Sequence, residues 1–132
     1  MQRVAEFVEH GVGIGPGDPR GLAELADEGV DGLPDLPRAL ERGIGVIANR
    51  NFREGRLTRT LARHPLPGWA GDMGATSWAQ LILKFVVSHP AVTCAIPATR
   101  NVTHVRENLA AAHGVLPDAR TRERIARTIA AL

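Results

Sequence analysis

The sequence predicts an α/β fold in which short buried strands alternate with helices. Two short runs, residues 44–48 and 91–96, are almost entirely apolar, which is typical of parallel strands covered on both faces. A polar loop follows each run, and apolar residues with helical spacing follow the second loop. Strands that alternate with helices pair in parallel through right-handed crossovers. Such folds bind their ligands at the carboxyl ends of the strands, where these loops lie.

Composition favours a globular, soluble protein over a disordered or membrane protein. The chain has 132 residues, of which 44% are hydrophobic, enough for one domain with a core. No apolar run approaches a membrane span, and the N-terminus lacks the apolar core of a signal peptide. We therefore expect a cytoplasmic protein without a membrane partner. The single cysteine, Cys94, excludes an internal disulfide and is expected to be a small buried core residue.

The N-terminal segment, residues 1–36, is rich in glycine and proline and has no assigned role. Its glycines suggest a phosphate-binding loop, but neither GxGxxG in register nor Gly-Lys-Ser/Thr is present. A flexible loop or arm is favoured, because ordering so many glycines is costly. The recognisable organisation covers residues 37–132.

The first half of this region predicts two short helices around the first strand. Residues 37–42 form a helix with proline near its start, and Gly43 supplies the C-cap. The loop after the strand is polar and basic, with Gly55 available for an unusual turn. Residues 56–62 predict one or two helical turns, and Trp69 is expected to anchor the following loop by packing.

A central amphipathic helix begins after Ser77, which can cap it in a capping box with Gln80. Pro90 closes the segment. Lys84 is expected to lay its stem along the surface. The core-facing stripe consists of Trp78, Leu81, Ile82, Phe85 and Val86.

Two further helices follow the second strand. Asn101 begins the first of them, and Gly114 is expected to end it. Asp118 is the predicted N-cap of the last helix. The predicted core faces are Val102, Val105 and Leu109 on the first helix, and Ile125, Ile129 and Leu132 on the second. The predicted solvent side of the last helix carries Arg120, Arg122, Arg124 and Arg127.

The segments GIGVIANRNFREG and SWAQLILKFVVSHPAVTCAIPATRN, with HVRENLAAA after them, resemble the C-terminal part of an aldo/keto reductase. The resemblance covers roughly residues 37–132. It implies a partial (β/α)8 barrel, comprising the last two βα units and the C-terminal helix. It also implies NADP(H) as cofactor and reduction of aldehydes or ketones.

The resemblance assigns cofactor contacts to the loops after both strands. Beside the nicotinamide and pyrophosphate it places Asn49, Arg50, Asn51 and Phe52. Around the adenosine 2′-phosphate it places Ala98, Thr99, Arg100 and His104, with Glu107 and Asn108 near the adenine. The chain departs from the family at Asn51 (commonly proline), Ala98 (often lysine) and His104 (often arginine). Independently, a helix start at Asn101 favours a phosphate through its unpaired amides and dipole.

The catalytic half of the family pattern is missing. The family uses a tyrosine proton donor assisted by lysine, aspartate and histidine on earlier strands, and this chain has no tyrosine. A whole barrel takes about 250 residues. We therefore assign no catalytic residue and expect little or no turnover by the isolated chain.

Other functions remain open. A half-barrel could be an interaction module that self-associates through open sheet edges. Nucleic-acid binding by the arginines of the last helix is less favoured, because Glu123 interrupts them and aromatic residues are sparse. Metal catalysis is not expected, since His10, His64, His89 and His113 are scattered.

Overall fold

The computed structural model describes residues 36–43 and 45–132, which form six helices, three of them only six residues long, and two strands around a single core. The unassigned N-terminal segment, residues 1–36, lies outside the described residues except for Leu36, and so does the glycine-rich stretch predicted to be a flexible loop. In chain order the elements are α1 Leu36–Glu41, β1 Val46–Asn49, α2 Arg56–Leu61, a 3₁₀ helix Gly68–Met73, α3 Trp78–Val87, β2 Val92–Ile96, α4 Val102–Ala110 and α5 Ala119–Ala130.

The two strands pair in parallel, which confirms the mixed α/β class. Val46 lies opposite Val92, and Asn49 lies opposite Ile96 at the other end. A register irregularity follows Val46, whose backbone N–H donates to Thr93 Oγ1 at 3.0 Å. Two strands do not define a barrel, so the (β/α)8 architecture stays a prediction.

The expectation that both faces of the strands are buried is wrong. Ala48, Val92 and Ala95 pack against the core on one face. On the other face Cys94 is exposed, so its predicted core position is also wrong. Ile96 is 50% exposed. Helix α3 packs against β2, whereas the exposed side chains of Ile47, Cys94 and Ile96 leave the opposite side open among the described residues.

Helix α3 is the centre of the core, as its apolar stripe predicts. Ser77 Oγ accepts from the backbone N–H of Gln80 at 3.2 Å, which confirms the N-cap. The reciprocal bond of the box falls one residue early, because Gln80 Oε1 accepts from the N–H of Thr76 at 2.8 Å. The packed cluster comprises Leu57, Leu61, Ala70, Met73, Ala75, Trp78, Leu81, Ile82, Phe85, Val86, Ile125 and Ile129.

Both tryptophans belong to or pack against this core. Trp78 is buried, as predicted, and its Nε1–H donates to the backbone carbonyl of His64 at 3.0 Å. Trp69 packs against the cluster, as expected of an anchor, and the Arg124 guanidinium lies 4.4 Å from its ring centroid.

Two cations predicted to face solvent are buried instead. Lys84 is 1% exposed, and its Nζ donates to the carbonyls of His113 at 2.6 Å and Val115 at 3.2 Å. Arg122 is also buried; it donates to the carbonyl of Phe85 and to Ser88 Oγ, and lies over the Phe85 ring. Backbone carbonyls satisfy charges that burial would otherwise leave unpaired.

The predicted core face of α4 is wrong, because none of its residues is buried. Val102 is 65% exposed and Leu109 is 64% exposed. The helix ends at Ala110, before Gly114, which adopts a left-handed conformation in the turn beyond it. Hydrogen bonds from Ser77 and Gln80 to Glu107 hold the helix to α3 in place of apolar packing.

The N-cap and most of the core face of the last helix agree with the sequence prediction. Asp118 Oδ1 accepts from the N–H of Thr121 at 2.8 Å, which confirms the N-cap. That side-chain hydrogen bond is the main cause of a lowered Asp118 pKa. Ile125 and Ile129 are buried as predicted, whereas Leu132 is exposed.

Candidate functional site

The carboxyl ends of the two strands form the candidate site. Because Asn49 is opposite Ile96, the loops that follow them leave the sheet at the same edge. We call the first, residues 50–55, the arginine loop, and the second, residues 97–101, the threonine loop. The parallel pairing therefore brings together the two loops that the resemblance assigns to one cofactor.

The arginine loop has an uncommon backbone. Arg50, Arg53 and Glu54 have positive φ angles of 56°, 48° and 59°, followed by Gly55 at 78°. Left-handed conformations are costly for residues with a Cβ, and such strain clusters at ligand-binding and switch segments. Two backbone bonds close the loop, from the N–H of Arg53 to the carbonyl of Arg50 at 2.7 Å and from the N–H of Gly55 to that of Phe52 at 2.9 Å.

The four residues predicted beside the nicotinamide occupy different environments. Asn49 is the last residue of β1 and is exposed. Arg50 is exposed and lies 3.8 Å from the Glu54 carboxylate, a solvent-screened pair of small energetic value. Asn51 donates from Nδ2 to the carbonyl of Ala48 at 3.3 Å. Phe52 is partly buried against the core, and this packing anchors the loop.

The threonine loop leads directly into α4. Thr99 Oγ1 accepts from the N–H of Asn101 at 3.1 Å, and Asn101 Oδ1 accepts from the N–H of Thr103 at 2.8 Å. An anion at this helix start would therefore compete with the Asn101 cap for the Thr103 amide. Ala98 and Arg100 are exposed, so the Arg100 guanidinium can reach a phosphate at this edge.

Farther along α4, His104 is exposed, while Glu107 and Asn108 are half-buried. The Glu107 carboxylate accepts from Ser77 Oγ, and its backbone carbonyl accepts from Gln80 Nε2 at 3.3 Å. Glu107 therefore holds α4 onto the start of α3, and its carboxylate is already engaged. Its predicted adenine contact, like that of Asn108, stays a prediction.

Sequence reasoning missed the Ser77–Glu107 contact and the burial of Lys84. Both join residues about thirty positions apart, and local periodicity carries no information about such pairs. The one available signal was Lys84 itself, a cation only one turn from core positions on the apolar helix α3.

The described part of the chain shows neither a metal-binding cluster nor a membrane-spanning helix. Within residues 36–43 and 45–132 no group of three histidine, cysteine, aspartate or glutamate side chains is arranged to hold a metal ion. None of the helices in these ranges combines the length and apolarity needed to cross a bilayer.

Comparison of the chain with protein-family models, with curated proteins and with solved structures found no match. The likeness to aldo/keto reductases therefore rests on the residues quoted above.

Proposed function

We propose that this chain is the C-terminal part of an aldo/keto-reductase-like (β/α)8 barrel and binds NADP(H) at the carboxyl edge of β1 and β2. One observation carries the proposal: the parallel register aligns Asn49 with Ile96, so both cofactor loops leave at one edge. Ligands of parallel α/β folds bind at such edges.

The phosphates of the cofactor would lie against the threonine loop and the start of α4. Arg100 is the cation best placed there, because it is exposed and directly precedes the N-cap Asn101. Its planar guanidinium can donate two parallel hydrogen bonds to one phosphate. Thr99 and His104 would complete the 2′-phosphate contact.

The arginine loop would face the nicotinamide and pyrophosphate end. Asn51 and Arg50 begin the turn, and Phe52 fixes it to the core. When bound, the nicotinamide would supply the hydride that reduces an aldehyde or ketone. None of the residues assigned here would hold that substrate.

The proton donor of the family, a tyrosine, has no counterpart in this chain. The Lys84 ammonium is buried against two backbone carbonyls. We expect cofactor binding with weak or absent reductase activity. Rapid NADPH-dependent reduction of a simple aldehyde by the purified chain would contradict this.

The test is a fluorescence titration of the purified chain with NADPH and with NADH. Saturable NADPH binding is expected, and Arg100→Ala should weaken it about tenfold or more, since a hydrogen bond to a charged group contributes about 1.5–3 kcal/mol. The same substitution should weaken NADH binding less, because NADH lacks the 2′-phosphate.

Arg106→Ala is the matched control, because it removes the same charge from an exposed position within α4, the helix that follows the threonine loop. It should change the NADPH affinity little. Equal losses in both variants would indicate general electrostatic attraction, and absence of NADPH binding by a folded chain would refute the proposal.

A second candidate function is a non-catalytic half-barrel that pairs with another chain. It is favoured by the exposed apolar side chains of β1, β2 and α4, namely Ile47, Ile96, Val102, Val105 and Leu109. Unpaired strand edges add hydrogen-bonding groups that seek partners. Light scattering distinguishes the two cases: a defined oligomer supports pairing, and a monomer at high concentration argues against it.

A further inference from the structure

The described part of this protein has two arginine-rich stretches, residues 50–63 and the last helix, α5. Residues 50–63 hold five arginines and one glutamate, a local excess of four, whereas the whole chain has a net charge of only +2. The other residues sum to −2, because residues 1–35 carry eight carboxylates and only two arginines. Such asymmetry attracts polyanions to the basic segment even when overall charge is small.

Helix α2 aligns three of these arginines on one face. Successive helical residues are about 100° apart, so Arg56, Arg59 and Arg63 fall within roughly 60° of one another. The backbone continues its turn beyond Leu61, because the N–H of Ala62 bonds to the carbonyl of Thr58 at 2.9 Å and that of Arg63 to Thr60 at 3.3 Å. We call these three side chains the arginine face.

The opposite side of α2 belongs to the core. Leu57 and Leu61 are buried in the central cluster and lie roughly 130–170° from the centre of the arginine face. The arginine face therefore points outward, and all three of its side chains are exposed. In the part of the chain that the structure describes, no carboxylate forms an ion pair with them.

We propose that the arginine face binds the phosphate backbone of a nucleic acid without reading its sequence. Three exposed guanidinium groups along a helix suit a row of phosphates, since each can donate paired hydrogen bonds to phosphate oxygens. The basic surface extends from α2 to the arginine loop. The guanidinium of Arg59 lies beside Gly55 of that loop, with Nη1 3.1 Å from the position that a Cβ on Gly55 would occupy.

An anionic membrane is the less suitable partner. Peripheral helices bind membranes by burying an apolar face among the lipids beside their basic residues. The apolar residues of α2, Leu57 and Leu61, are already committed to the core. Phosphate contact through arginine alone needs no such face.

The arginines of α5 do not form a comparable surface. Arg122 is buried against Phe85, Arg124 stacks on Trp69, and Arg127 pairs with Glu123. Arg120, Arg124 and Arg127 are exposed, as the sequence predicts, but two of these three are engaged by Trp69 and Glu123, so the arginine face of α2 is the more available basic surface.

The experiment measures binding of the full chain to a short fluorescein-labelled DNA duplex by anisotropy over a series of salt concentrations. The test variant replaces Arg56, Arg59 and Arg63 with glutamine; the control replaces Arg106, Arg120 and Arg127, an equal loss of charge elsewhere. Neutralising three phosphate contacts should reduce the slope of log affinity against log salt by about 2–3 and weaken low-salt binding at least tenfold.

The control should bind as the unmodified chain does, and a variant with lysine at 56, 59 and 63 should retain the salt slope. If the triple glutamine variant unfolds, the three single variants carry the test, each lowering the slope by about one. No binding by the unmodified chain, equal losses in test and control, or tighter binding to phosphatidylserine vesicles than to DNA would each overturn the proposal.

Discussion

At the scale of single residues, Lys84 has the most unusual environment. Burial lowers the pKa of its ammonium from the usual 10.5. It is the only lysine, and the chain has no tyrosine, so few other groups titrate near that pH. Between the lowered pKa and 10.5 the unfolded chain binds more protons, and the free energy of unfolding should therefore rise with pH.

Replacing Lys84 with methionine tests this. The variant should lose the rise of stability with alkaline pH, and at neutral pH it should be destabilised by about 1–3 kcal/mol because two buried carbonyl bonds are lost. Urea unfolding at neutral and alkaline pH measures both. Arg63→Met, which truncates an exposed cation, should leave the pH dependence intact; an unchanged profile in Lys84→Met would contradict the assignment.

At the scale of elements, α4 depends on polar anchoring. Ser77 caps α3 and also donates to the Glu107 carboxylate, so one hydroxyl serves two helices. Ser77→Ala should cost about 1–2 kcal/mol, at or above the usual value of an N-cap. Thermal unfolding of Ser77→Ala, Glu107→Ala and the double variant should show coupling of about 0.5 kcal/mol or more. Additive losses would show that the contact contributes nothing.

Helix and strand positions were largely predictable, but burial was less so. Caps at Ser77 and Asp118 follow from local chemistry, and both side chains accept a backbone amide at the helix start; Asn101, predicted only to begin its helix, caps it as well. The apolar spacing on α4 equally predicted a core face, and that was wrong. Periodicity shows that a face is apolar, whereas covering it depends on which elements are present.

The candidate site shows the same division. That both loops leave at one edge follows from parallel pairing, which alternation of strands and helices predicts. The engagement of Glu107 by Ser77 and the packing of Phe52 depend on tertiary contacts that sequence spacing does not encode.

At the scale of the whole molecule, stability rests on one core centred on α3. Leu81 is fully buried there, so Leu81→Ala should cost about 2–5 kcal/mol through lost packing and a cavity. A domain of this size has about 5–15 kcal/mol in total. Leu109→Ala, on the exposed face of α4, should change stability by about 0.5 kcal/mol or less. Chemical unfolding compares them, and similar losses would place Leu109 in a buried contact.

The two tryptophans give the protein built-in optical probes. Without tyrosine, its near-ultraviolet emission comes from Trp69 and Trp78 almost alone. Trp78 reports on the packed interior, while Trp69 beneath the Arg124 guanidinium reports on the docking of the last helix. Substituting phenylalanine for one tryptophan at a time would separate the signals, so that detachment of α5 could be followed independently of melting of the core.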